Sequence, residues 1–325
     1  GYCVYINHED GRQTRYGHLS KVLVKSGETD LPMIANEYLF TAVLTAVFGC
    51  VLFGLIPLLN KERVPYTAGD KISFKDMMGA LKSNKPFMLV IISYFLGFGR
   101  QMAMGIQVQA ANILLGSQNL VAVLGISTAI GTMISMAACP FLIKKLDEKK
   151  VFIGLSVYGF IASVLSFVIA HFWFTNPDNM VLTVLFYFSL FLMGLQFASV
   201  NLMPMIMTAD CVDYYEYETG KRMEGTAYSV LTLTIKICLA LGTALGLVFV
   251  QVSGYSDTVR EIAAGTAAGF ATKTKDIVFF AYAVVPGILS LLSAIPIFKY
   301  DIVGKKKQEI SDALQARRTA AAAEK

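Results

Sequence analysis

Residues 180–209 read MVLTVLFYFSLFLMGLQFASVNLMPMIMTA, thirty positions without one charged side chain. An α-helix rises about 1.5 Å per residue, so roughly 20 apolar residues cross the hydrocarbon core of a bilayer. The run shows no period-two alternation of the kind a barrel strand needs. A spanning segment must close its own backbone hydrogen bonds, which leaves the helix. Working outward, six further runs qualify: 38–59, 87–115, 120–143, 151–174, 228–252 and 277–298. Across all 325 residues, 55% are hydrophobic and 16% charged, against about 25% charged in soluble domains. This composition excludes an ordinary soluble enzyme, a disordered chain and a disulfide-stapled secreted domain.

The net charge of +5 does not point to a nucleic-acid partner, because the basic residues collect between the runs. Nineteen of the 28 Lys and Arg lie in 60–86, 144–150, 210–227 and the stretch from Lys299 onward. Seven lie in 1–37 and 253–276, none in 116–119 or 175–179, and two, Arg100 and Lys236, fall within runs. Basic loops stay in the cytoplasm, so the expected topology is seven transmembrane helices with the N-terminus outside and the C-terminus inside. A seven-span receptor shares that topology. The outer loops are short and polar, with no cysteine pair to clamp one of them to a span. Of five cysteines, Cys50, Cys139 and Cys238 lie inside apolar runs, Cys3 and Cys211 outside them, and no CxxC pair suggests a metal or disulfide framework.

The expected organisation is an extracytoplasmic segment at 1–37, a lone span at 38–59, a cytoplasmic linker at 60–86, a six-helix bundle at 87–299 and a cytoplasmic tail at 300–325. Within the linker, Phe74, Met77, Met78 and Leu81 approximate a helical stripe among lysines, which suggests a short amphipathic helix on the membrane face. The stretch 257–274 is rich in Ala, Gly and Thr and reads as a short surface helix or loop. The tail reads as a frayed helix or disordered segment. Three plus three spans after the linker, with one before it, suggest the later part of a twelve-helix carrier whose first five helices lie outside this chain.

The densest chemistry follows the 180–209 run: Asp210, Asp213 and Glu216 recur every three residues and share a face if the helix continues. Three carboxylates without a fourth ligand make a weak metal site, and no metal is expected. A solvated acidic helix end is one reading. The other is an inner gate, in which the acids pair with basic groups of a facing half in one state and release them in another.

The string Ala209-Asp210-Cys211-Val212-Asp213-Tyr214-Tyr215-Glu216-Tyr217, with Lys221-Arg222, Glu224-Gly225, Ala227-Tyr228-Ser229 and then Lys236, resembles the signature of the glycoside–pentoside–hexuronide:cation symporters. These are a branch of the major facilitator superfamily, of which melibiose carriers are the best-known members. Asn84-Lys85-Pro86-Phe87 is similar to the family's entry into its seventh helix, and the resemblance covers about residues 38–300, its helices six to twelve. It implies an all-α membrane protein with a partial major facilitator fold in the cytoplasmic membrane, and sugar or glycoside uptake coupled to Na⁺ or H⁺ without another cofactor. Lys236 matches a cavity lysine of the eleventh helix. Asp210, Asp213, Glu216 and Arg222 match inner-gate charges after the tenth. Asn201 stands where melibiose carriers place an aromatic residue of the sugar site, a departure from the galactoside pattern.

Apart from any family, a charge near mid-bilayer costs a few kcal/mol and normally faces a watery cavity or a partner. Arg100 and Lys236 are therefore expected to line the solute path, where the resemblance also puts Asn201, and Gln107, seven residues after Arg100, should continue a polar stripe. His171 and Trp173 read as interfacial residues, Trp173 in an aromatic belt. The Lys144–Lys150 loop reads either as a degenerate copy of a basic superfamily loop or as plain positive-inside charge. No nucleophile–base constellation or phosphate loop appears, so the expected work is solute movement, not covalent chemistry. A carrier of another solute on the same fold, such as a lipid, stays open.

Overall fold

A computed structural model of the chain describes residues 2–7, 13–19, 31–59, 79, 83–116, 120–263, 265–267 and 269–323. The chain divides into two units, 1–72 and 73–325.

In the first unit, β1 (Tyr2–Asn7) pairs antiparallel with β2 (Gln13–Leu19), Val4 opposite Tyr16 and Ile6 opposite Thr14, with an irregularity between Tyr2 and Val4. This hairpin lies outside the all-α expectation. Its Tyr, Val and Ile content favours a pleated strand, but the segment is too short and too polar to register as a span. Helix α1 (Leu31–Leu59) follows and begins before the expected run. The described apolar part of it covers Ala42–Leu55. The amphipathic helix expected within 60–86 falls largely outside the described residues.

The second unit is a helical bundle. Its first span is broken into α2 (Lys85–Leu96), α3 (Gly99–Gly105) and α4 (Gln107–Leu115). The second is α5 (Val121–Leu146) and the third α6 (Glu148–Thr175). The fourth is again broken, into α7 (Met180–Gly194), α8 (Phe197–Asn201) and α9 (Met203–Thr219). The fifth is α10 (Glu224–Val252), followed by the short surface helix α11 (Tyr255–Ala263). The sixth runs through α12 (Thr272–Phe279), a π-helical turn at Phe280–Val284 and α13 (Val285–Ile297). Helix α14 (Gly304–Ala323) closes the chain. Among the described residues, six helices are long and apolar enough to span a membrane.

Local chemistry explains the starts and breaks. The Asn84 side chain accepts from the Phe87 amide, and Pro86 occupies the first turn, where its missing N–H costs nothing. The α7–α8 break frees carbonyls that lipid cannot satisfy. Thr132 of α5 donates to Gly194 O at 3.2 Å, Ser135 donates to Leu195 O, and Tyr158 of α6 donates to Leu192 O at 3.0 Å. These contacts require close helices. A Cβ on Gly131 would lie 2.3 Å from Phe191 O, and one on Gly194 2.3 Å from Thr128 O. Small residues let α5 and α7 touch backbone to backbone, which drives association where water supplies no hydrophobic force.

Packing pairs α13 with α6 and α2, α10 with α3, α7 with α5 and α6, and α9 with α2 and α14. Helices α3 and α10 run parallel: Cys238 lies beside Tyr94, Gly242 against Met102 and Gly246 against Ile106. One core half gathers Trp173, Phe174, Phe186, Phe279 and Tyr282; the other gathers Phe87, Met203, Met207, Tyr300, Ile310 and Leu314. Trp173 is therefore a core residue, not part of an interfacial belt. It stacks on Phe186 at 4.4 Å between centroids and donates its indole N–H to Thr183, satisfying its one polar atom within the fold.

Candidate functional site

Two groups of charged residues stand out, one within the spans and one at the end of the bundle that carries residues 144–150, 210–224 and α14.

Arg100, Asn201 and Lys236 come from α3, α8 and α10. Arg100 is half-buried and rests over the Phe197 ring, its guanidinium carbon 5.4 Å from the centroid. Asn201 is half-buried, one turn after Phe197 on the same face of α8. Lys236 is exposed, as is Thr232 one turn before it, while Thr234 turns into the bundle and donates to Val230 O. Among the described residues, neither Arg100 nor Lys236 has a carboxylate within 4.0 Å. Gln107 does not extend the Arg100 stripe: it follows an interruption of the helix at Ile106, and its amide packs against Gly125 of α5.

The second group is a network of ion pairs. Arg222 contacts Asp213 at 3.0 Å, Glu216 at 2.6 Å and Glu224 at 3.0 Å. Arg318 of α14 reaches Glu216 at 3.0 Å, and Arg317 donates to the Tyr217 carbonyl at 3.0 Å. Lys307 of α14 bridges Glu148 at 2.5 Å and Asp210 at 2.8 Å, both carboxylates nearly withdrawn from solvent. Partial burial alone would lower the pKa of Arg222, but its hydrogen bonds to Glu216, Glu224 and Asp213 outweigh this and hold it above its ordinary value. Burial likewise works against the Lys307 charge, and Asp210 and Glu148 more than reverse it. With its folded value raised, Lys307 contributes fully below the ordinary 10.5 and loses that contribution only as pH rises through the higher value.

Asp210, Asp213 and Glu216 share a face, as their spacing predicts, and in this structure their partners come from the same chain. The stretch read as a tail supplies two of them, Lys307 and Arg318. Helix α14 is an ordered, docked element, with Ile310 and Leu314 buried in the core. Two large apolar residues in 20 give too faint a stripe to read; the spacing of Lys307, Arg317 and Arg318 along one helix is the available signal. The basic loop at 144–150 also holds the structure together. Lys149 donates to the Phe298 and Tyr300 carbonyls at 2.8 and 3.1 Å, which lie at the end of α13, where backbone acceptors lack helical partners. His171 sits 3.0 Å from Asp276. Among the described residues no cluster of metal-ligating side chains is present.

Six apolar spans, with cations and an amide inside them, define a multi-pass integral membrane protein. The chain belongs to the family described as MFS/sugar transport protein, whose sequence model matches residues 22–304. It is 26% identical over 290 residues to a proposed 2,3-dihydroxypropane-1-sulfonate exporter of Salmonella typhimurium, covering 87% of this chain and 58% of that protein. It is 24% identical over 287 residues to a glucuronide carrier protein homolog of Escherichia coli, covering 85% and 57%. It is 24% identical over 224 residues to the isoprimeverose transporter of Lactiplantibacillus pentosus, covering 68% and 45%. The chain spans about half the length of these relatives. Membership in a transporter family sets aside the seven-span receptor and any enzymatic reading.

Proposed function

We propose that this chain works in secondary active transport of a sugar or glycoside, with movement coupled to Na⁺ or H⁺. The observation that carries the reading is the placement of Arg100, Asn201 and Lys236 on three neighbouring spans, with the Arg100 and Lys236 charges unpaired among the described residues. Such groups are costly in lipid and serviceable beside a hydrated solute. Asn201 supplies both a donor and an acceptor for sugar hydroxyls. The names of the relatives place a sulfonate, a glucuronide and isoprimeverose among the solutes of similar proteins. The 144–150 and 210–224 segments face the cytoplasm in this reading. A cysteine engineered at Lys145 then reacts with an impermeant maleimide only after the membrane is opened; reaction in sealed cells would reverse the orientation.

The test uses the full-length protein carrying this sequence, reconstituted in proteoliposomes with labelled methyl glycosides. Accumulation should require an inward Na⁺ or proton gradient and collapse when an ionophore removes it. Equilibration unaffected by either gradient would refute coupling. The network around Arg222 acts as the inner gate, its acids changing partners between states. In the same vesicles, joint Asp213→Asn and Glu216→Gln replacement should cut transport about tenfold, near 1.4 kcal/mol in the balance of states, with a smaller change in equilibrium binding. Lost binding with unchanged gating would move the acids to the solute site.

A further inference from the structure

The spans hold two cations and no acid: residues 85–146, 149–175, 179–209, 225–252 and 277–300 contain Arg100 and Lys236 within their apolar interiors and not a single Asp or Glu. A neutralising group for Arg100 therefore comes from outside these segments. Its surroundings prepare it to receive one. The Phe197 face holds the guanidinium through a cation–π contact, which fixes the side chain without consuming its N–H donors or cancelling its charge. The neighbouring Gln101 amide is already engaged with the Tyr94 hydroxyl at 3.3 Å, inside the bundle. It leaves the guanidinium edge uncontested. Phe197 opens the one-turn helix α8, and Asn201 closes it on the same face. On the parallel helix α10, Lys236 is an exposed cation.

We propose that Arg100 is the anion-recognising residue of the solute path and that the solute carries a carboxylate or sulfonate. The planar guanidinium presents paired N–H donors that match two oxygens of such a group. Asn201 sits one helical turn from the Phe197 ring, placed to address hydroxyls on the remainder of the solute. This inference rests on the sugar-carrier reading and narrows it from any glycoside to an acidic one.

The probes are methyl β-glucuronide and methyl β-glucoside, which differ only in a carboxylate against a hydroxymethyl group, and 2,3-dihydroxypropane-1-sulfonate. Equilibrium binding is measured on the full-length protein in detergent. The glucuronide should bind about ten- to a hundredfold tighter than the glucoside, the range expected for hydrogen bonds to a charged group. Arg100→Gln should bring that ratio close to one. Arg100→Lys, which keeps the charge and loses the fork, should leave an intermediate ratio, and Phe197→Leu should lower it while the charge stays in place. The two latter variants decide the matter if Arg100→Gln does not fold. A glucuronide-to-glucoside ratio near one in the parent, or a ratio untouched by all three variants, overturns the inference. Binding of the glucoside alone refutes it and leaves the sugar reading standing. Binding of the sulfonate alone overturns the inference together with the sugar reading on which it rests, and binding of none refutes both.

Discussion

Replacing Lys307 with Met is expected to destabilise the bundle by about 2–3 kcal/mol, read as a fall in the thermal unfolding midpoint in detergent. The lysine stem survives in Met; the charge does not. Glu148 and Asp210, with side chains only 6% and 11% exposed, then face each other without a cation between them. Removing one partner of a fully buried pair costs about 3–5 kcal/mol because the stranded charge stays desolvated. Lys307 itself is 35% exposed, so solvent screens part of the loss and the figure falls below that range. Adding Glu148→Gln and Asp210→Asn to Lys307→Met should restore most of the midpoint, since the groups act as one unit. A Lys307→Met midpoint equal to the parent's would show that the bridge contributes nothing.

Lys236→Gln should separate function from stability. Lys236 is exposed and has no ion-pair or hydrogen-bond partner among the described residues, so its replacement strands no acid within them. Unfolding should shift by no more than about 0.5 kcal/mol, as for an ordinary surface change. Gradient-driven uptake should fall about ten- to a hundredfold, the equivalent of losing one charge-assisted contact. Uptake equal to the parent's would remove Lys236 from the solute path, and unfolding would make it a structural residue.

The spans are legible because lipid imposes one rule: uncharged runs above 20 residues, separated by charge. The runs at 151–174 and 228–252 form helices only a few residues longer. Their interruptions are not legible. Hydropathy is blind to Gly97–Phe98, to Ile106 and to Leu195–Gln196, where the regular helix is interrupted. That blindness is why simple helical spacing puts Gln107 beside Arg100, although it packs on α5 instead. The π-helical turn at Phe280–Val284 is equally silent, because its five residues are apolar on every face. Trp173 departs from expectation for a different reason. Closeness to a span end is visible in sequence, whereas a stacking partner 13 residues away is not. The acids from Asp210 to Glu216 are legible as one face, with Arg222 close by in sequence, while Lys307 and Arg318, about a hundred residues downstream on α14, are visible as cations but not as their partners.

The bifurcated contact of Lys307 has a mechanical consequence. One ammonium holds carboxylates from the first turn of α6 and from α9 at 2.5 and 2.8 Å, and Lys149 ties that same turn of α6 to the end of α13. Hydrogen bonds fade beyond about 3.5 Å, so sliding any of these three helices past another by about 1 Å unfastens a rivet. The rim of the bundle at this end is therefore stiff in shear. If the carrier alternates its access, this rim travels as one plate, and the bending has to occur where the chain is already jointed, at the breaks flanking α3 and α8.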